Sequence, residues 1–200
     1  DYFVDHGIAG LLNKSVKGEA IRLLSELPAE GRRTLELQFG VTAQRELSAA
    51  IANRDFERLG SVARKYMHTE AGYDAQVLLA QYKLTSGHPL AAAGLLQNLL
   101  GYPAARQRYG AALALATARA LRAAGNVDAA GTTLKLAARN FPGESLTIAG
   151  QQMPLDAVTD WRSILSRDAD KEQPIVDTTA GSAWTMSGGS PERNATSQAS

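Results

Sequence analysis

The chain's titratable and nucleophilic residues do not form a reactive constellation. Its three histidines, His6, His68 and His88, never stand at i, i+4 spacing, and no His/Asp/Glu cluster has ligand spacing. His68 and His88 fall at helix ends or turns, where a histidine commonly caps a carbonyl. There is no cysteine, so disulfides, thiolate metal sites and a cysteine nucleophile are excluded. No G-x-S-x-G, phosphate loop or dinucleotide fingerprint occurs, and "GGSPERNA" lacks the lysine of a phosphate loop. Asn194-Ala195-Thr196 matches an acceptor pattern for N-glycosylation, as a chance triplet also would. The expectation is a non-enzyme with no catalytic, metal or cofactor-binding residue and no cofactor in this fragment. One charge bias stands out. Between Gly101 and Phe141 lie six basic residues, Arg106, Arg108, Arg119, Arg122, Lys135 and Arg139, against the single acidic Asp128. Arginine offers planar, bidentate contacts to carboxylates, so such a segment suits an acidic partner; a solvated face would carry the same residues.

Composition narrows the classes further. Two hundred residues suffice for one domain of ordinary size with some left over. A 44% hydrophobic content with only 6% aromatics predicts a core of Leu and Ala, as packed helices prefer. A net charge of +1 argues against a nucleic-acid or membrane-surface role. No apolar run approaches the roughly 20 residues of a membrane span. The chain starts at Asp1 without Met and is expected to be a piece of a longer protein, with any targeting segment upstream.

The elements that must position these residues are organised around a duplication. Ala80, Gly87, Ala92 and Leu96 recur 38 residues later as Ala118, Gly125, Ala130 and Leu134. Small residues at 80, 92, 118 and 130 let two helices approach closely. Gly87 and Gly125 each end a helix in the left-handed conformation that satisfies its last carbonyls. Asn126 strengthens the second turn, and Pro142 stops the helix that follows it. Self-similarity on this scale predicts stacked helix pairs.

The pattern resembles the tetratricopeptide repeat. In the second copy Ala118, Leu121, Gly125, Ala130, Leu134, Ala137 and Pro142 match the family's small, large, turn, small, large, small and terminal-proline positions. The first copy matches at Leu79, Ala80, Gly87, Ala92 and Leu96. It departs at Lys83 and Leu99, and an insert around 101–105 accounts for the longer spacing. An ordinary Ala/Leu-rich bundle would carry part of the same pattern. The resemblance implies an all-α fold, a tetratricopeptide-like α-α superhelix of antiparallel pairs over residues 1–165. It also implies that the first helix of each pair lines a concave groove. Asp74 and Gln81 fall on such positions in the first copy, Arg119 and Arg122 in the second. These four are the candidate partner groove for an extended acidic segment, although the Lys/Asn/Lys/Arg set of the family's carboxylate clamps is not recognisable.

Taken in order, 1–12 suits the end of a helix. Residues 17–27 form an amphipathic pattern with Ala20, Leu23, Leu24 and Leu27 on one face, Ser15 as N-cap and Pro28 as stop. Residues 30–52 form a long helical pattern marked by Leu35, Leu37, Phe39, Val41, Leu47 and Ile51. Gly40 is a point of breakage or bending, and 35–41 admits a short extended piece. Asp55 caps a helix over 56–67, with Leu59, Val62, Ala63 and Tyr66 inward, and Thr69 with Gly72 opens the next. After Pro142 the alternation predicts a β-hairpin, 146–149 with 152–155, its second strand weakened by Pro154. A short helix over 157–165 follows, with Trp161 sealing the stack.

From 166 to 183 the chain has linker composition. Trp184, Gly188, Gly189, Arg193 and Asn194 then resemble the opening strand of PQQ-like β-propeller domains, though a Gly/Ser-rich disordered tail over 184–200 suits the composition too. Together, the two parts are similar to large multidomain propeller proteins of planctomycete-type bacteria, whose propeller is similar to those of quinone-binding dehydrogenases and outer-membrane assembly lipoproteins. The resemblance implies a non-catalytic interaction or scaffold module preceding a propeller in a larger protein of the periplasm or cell envelope. Its partner would be a protein or peptide segment or the parent's own propeller, without nucleic acid and without a membrane span in this fragment. The alternatives are an accessory domain of a PQQ-dependent dehydrogenase and an oligomerisation module.

Overall fold

The computed structural model describes residues 3–4, 14–15, 23–24, 27–148, 151–158 and 160–169. His6, most of the expected helix over 17–27, and everything from 170 onward, including the expected linker and propeller-like stretch, lie outside the described residues. The fold is mainly α, with eight α-helices among the described residues and two small antiparallel two-stranded pairings. Two compact units are formed, 1–75 and 76–200, and the division falls inside a helix.

In the first unit, β1 (Phe3–Val4) pairs with β2 (Lys14–Ser15). Ser15 is therefore paired in a strand, not a helix cap. α1 (Ala29–Ala52) runs unbroken through Gly40, correcting the expected break and the extended piece at 35–41. Its buried stripe is Gly40, Ala43, Leu47 and Ala50, spaced at helical period. α2 (Phe56–Lys65) is capped as expected by Asp55, whose carboxylate accepts the Arg58 N–H at 2.9 Å. It ends two residues earlier than the sequence suggests.

Thr69 opens α3 (Glu70–Thr85): its hydroxyl donates to the Tyr66 carbonyl at 2.8 Å and accepts the Gly72 N–H at 3.1 Å. Gly72 is needed there because a Cβ would overlap that same Tyr66 carbonyl. A second acceptor comes from α1, where the Glu36 carboxylate takes the Glu70 N–H at 3.0 Å.

In the second unit α3 is followed by α4 (Pro89–Gly101), α5 (Pro103–Tyr109), α6 (Ala111–Ala123) and α7 (Val127–Asn140). The two turns of the duplication are built alike. Gly87 has φ +78° and Gly125 φ +82°. The His88 N–H reaches back to the Lys83 carbonyl at 2.8 Å, and the Asn126 N–H to the Leu121 carbonyl at 2.8 Å. Gly87 bonds to Leu84 and Gly125 to Arg122 at 3.2 and 2.8 Å. Every partner is displaced by the same 38 residues, and this double bond pattern is how a glycine ends a helix. Ala80, Ala92 and Leu96 are buried, as are Ala118, Ala130 and Leu134. The insert between the copies is itself helical: α5, begun by Pro103, carries Ala105 and Tyr109 into the core.

α6 packs against α4 and α7. Gly110, with φ +57° and ψ −144°, starts it without a capping side chain. β3 (Ser145–Ile148) and β4 (Gln151–Pro154) form the expected hairpin, each strand one residue earlier than the alternation suggested. Pro154 takes no hydrogen bond from the ladder. Leu155 N–H bonds to the Glu144 carbonyl at 3.0 Å, so the next pair, Ser145 with Pro154, is a non-hydrogen-bonded one that needs no N–H. A 3-10 turn (Leu155–Ala157) leads to α8 (Trp161–Ala169), later than the expected 157–165. Trp161 is buried as expected, and α8 lies on α7.

Candidate interaction surface

The four groove candidates fall in different settings. Asp74 lies half-buried at the end of the first unit. Gln81, Arg119 and Arg122 belong to the second. Gln81 is only 9% exposed and Arg119 7%, whereas Arg122 is half-buried. Arg119 is therefore no part of a solvated face, and Asp74, Arg119 and Arg122 already engage other groups. Gln81, by contrast, buries its Oε1 without a hydrogen-bond partner, as does Gln76 one turn and a half earlier on α3. A buried, unpaired amide oxygen keeps its desolvation cost and retains the capacity to accept one donor.

The basic excess of the second unit is mostly consumed by the fold. The Arg106 guanidinium donates to the Leu100 carbonyl at the end of α4, at 2.6 Å. Arg108 lies over the Tyr109 ring, 5.7 Å from its centre. Arg162 of α8 pairs with Asp128, the one acidic residue of the basic segment. Lys135 and Arg139, one turn apart on α7, are the two that remain exposed. They carry charge without geometry, which suits solubility and long-range attraction better than a clamp.

A surface that the residue types did not announce lies at the turns. Gly87, His88, Pro89, Leu90 and Ala91 of the first turn, with Ala123 and Ala124 of the second, line a shallow depression of about 590 Å³. Its lining is mostly apolar, and Leu90 stands 76% exposed at its edge. Leu90 looks like any core leucine in sequence; only the helix orientation turns it outward. His88 lines this depression and makes no side-chain cap to α4, while the equivalent Asn126 caps α7 by accepting the Ala129 N–H at 3.2 Å. His68 is half-buried, and burial pushes its pKa down, favouring the neutral ring.

Among the described residues no group of three or more His, Asp or Glu could hold a metal ion, and no helix is long and apolar enough to cross a membrane. What the surface can do chemically is accommodate apolar side chains at the turns. No family model, no curated protein and no solved structure matches the chain.

Proposed function

We propose that the chain is a non-catalytic interaction module of tetratricopeptide type, preceding a PQQ-like propeller in a larger cell-envelope protein. It docks an extended segment of a protein partner, or the parent's own propeller, and carries no cofactor itself. The observation that supports this reading is the shared backbone bonding pattern of the two turns. Equivalent glycines, equivalent bond partners and equivalent buried small residues recur at one fixed offset. Such a unit stacks on its neighbours and presents surface, and presenting surface is what helical repeats do.

The test is affinity capture with the whole chain as bait from a bacterial envelope extract, repeated with Arg122→Glu and with Leu90→Glu. Capture of a defined protein that one of these substitutions abolishes, with the circular dichroism spectrum unchanged, supports docking through the groove or through the turn depression. Capture indifferent to both substitutions, or none at all, removes the docking reading.

A further inference from the structure

Residues 34–41, TLELQFGV, carry a strand pattern within a helix. Leu35, Leu37, Phe39 and Val41 alternate with Thr34, Glu36, Gln38 and Gly40. In a strand, period two would gather all four apolar residues on one face. In a helix the same spacing splits them: Leu35 and Phe39 share one side, Leu37 and Val41 the opposite one. One stripe must then face water. Leu37 is 76% exposed and Val41 83%, and Phe39 is 41% exposed. Local preference adds to the conflict, since Thr34 and Val41 are β-branched and Gly40 is a poor helix former.

A contact from outside the segment favours the helix. The Glu36 carboxylate accepts the Glu70 N–H at the start of α3, at 3.0 Å. Gly40, one turn on, leaves the room that this carboxylate occupies, because a Cβ there would overlap it. In the helical α1, Glu36 projects toward the start of α3 and makes this bond. Breaking it removes a long-range restraint and leaves the segment to its own alternating pattern.

From this conflict we infer that residues 34–41 are a conditional strand, latched as helix by the Glu36–Glu70 bond, whose partner on release is the same segment of a second copy. The segment is complementary to itself. Antiparallel pairing centred on Gln38 sets Leu35 against Val41, Leu37 against Phe39, and Glu36 against Gly40. Parallel in-register pairing would instead set Glu36 against Glu36, which like charges disfavour. The antiparallel arrangement sets each apolar residue beside an apolar residue of the other copy, Leu37 and Val41 included, on one face of the paired strands. The inference is independent of the docking reading.

The experiment compares the full chain with Glu36→Ala, and with Glu36→Ala combined with Leu37→Glu and Val41→Glu. Solution mass is measured by light scattering, strand content by infrared spectroscopy, and local protection by hydrogen exchange. Glu36→Ala should about double the solution mass relative to the unsubstituted chain, the step to a closed pair. It should also add an antiparallel strand signal and shift protection only within the first unit. The triple variant should return to the mass of the unsubstituted chain, since Leu37 and Val41 are solvent-exposed in the helical form. Three results would overturn the inference. One is an unchanged mass for Glu36→Ala, whether 34–41 stays helical or merely unfolds. Another is association that survives the triple substitution. The last is loss of protection across 76–140 as well, which would make Glu36 a support of the whole fold and not a local latch.

Discussion

The carboxylate of Glu144 accepts a hydrogen bond from the backbone N–H of Ala111 at 3.0 Å, across 33 residues of chain. Gly110 has no side chain with which to cap α6, so the residue just before the hairpin serves the helix instead. The negative charge also faces the positive end of the helix dipole. Glu144→Ala should lower stability by about 1 kcal/mol, a normal loss for a helix cap. Glu144→Gln, which keeps an acceptor without the charge, should fall between. Denaturant unfolding checks both, and faster exchange at the Ala111 amide would localise the effect.

Gly87→Ala and Gly125→Ala should each destabilise by about 1 kcal/mol. A Cβ meets nothing within 4 Å at either position. The loss therefore comes from the left-handed backbone alone, and the two substitutions should cost similar amounts. A large inequality in unfolding midpoints would show that the turns are not equivalent.

Leu134 and Leu136 stand two residues apart on α7 with opposite fates. Leu134 is fully buried and Leu136 half-exposed. Leu134→Ala should cost about 2–5 kcal/mol through lost burial and a residual cavity. Leu136→Ala should stay within about 0.5 kcal/mol. Chemical denaturation of the pair tests the orientation of α7 directly.

Tyr66 donates its hydroxyl to Glu46 Oε1 at 2.7 Å, and Lys65 approaches the same oxygen at 3.4 Å. The Tyr66 bond, helped by Lys65, holds the Glu46 carboxyl below its ordinary value despite the opposing effect of burial. Because the folded value lies below the unfolded one, this contribution is full above the ordinary carboxylate range. It is lost as pH falls through the folded value. The melting temperature of the native chain should exceed that of Tyr66→Phe most at neutral pH. The gap should close on acidification, and a gap independent of pH would exclude the carboxylate as the partner that matters.

Gly40→Ala sets two effects against each other. Removing a helix-interior glycine gains about 1 kcal/mol, while displacing the Glu36 carboxylate from the Glu70 N–H loses about as much. Thermal stability should hardly change, yet the Glu70 amide should exchange faster. A clear gain in melting temperature with Glu70 still protected would mean that Glu36 finds another path to the α3 terminus.

What was legible in the sequence was what depends on near neighbours. A glycine needed at positive φ, an Asp one residue before a helix and a 3.6-residue apolar stripe are settled within a few residues. The turns at Gly87 and Gly125, the cap at Asp55 and the inward faces of α2 and α7 could all be read there. The hairpin was visible too, but each strand lies one residue earlier than expected, because alternation marks a strand without fixing its ends.

The rest waited for partners distant in the chain. That Glu36 reaches α3, that Glu144 starts α6 and that the insert after Gly101 winds into α5 depend on where other elements lie. The groove candidates came from matching positions in the repeat that the chain resembles, and such a position gives an angle around a helix and not the depth at which that angle is covered. Thus Arg119 lies buried and Leu90 exposed. The stretch from Leu35 to Val41 shows the division most clearly. By itself the sequence determined an alternating apolar pattern; in the tertiary structure that stretch is part of one helix, with Gly40, Ala43, Leu47 and Ala50 buried along it and the Glu36 carboxylate accepting the Glu70 N–H.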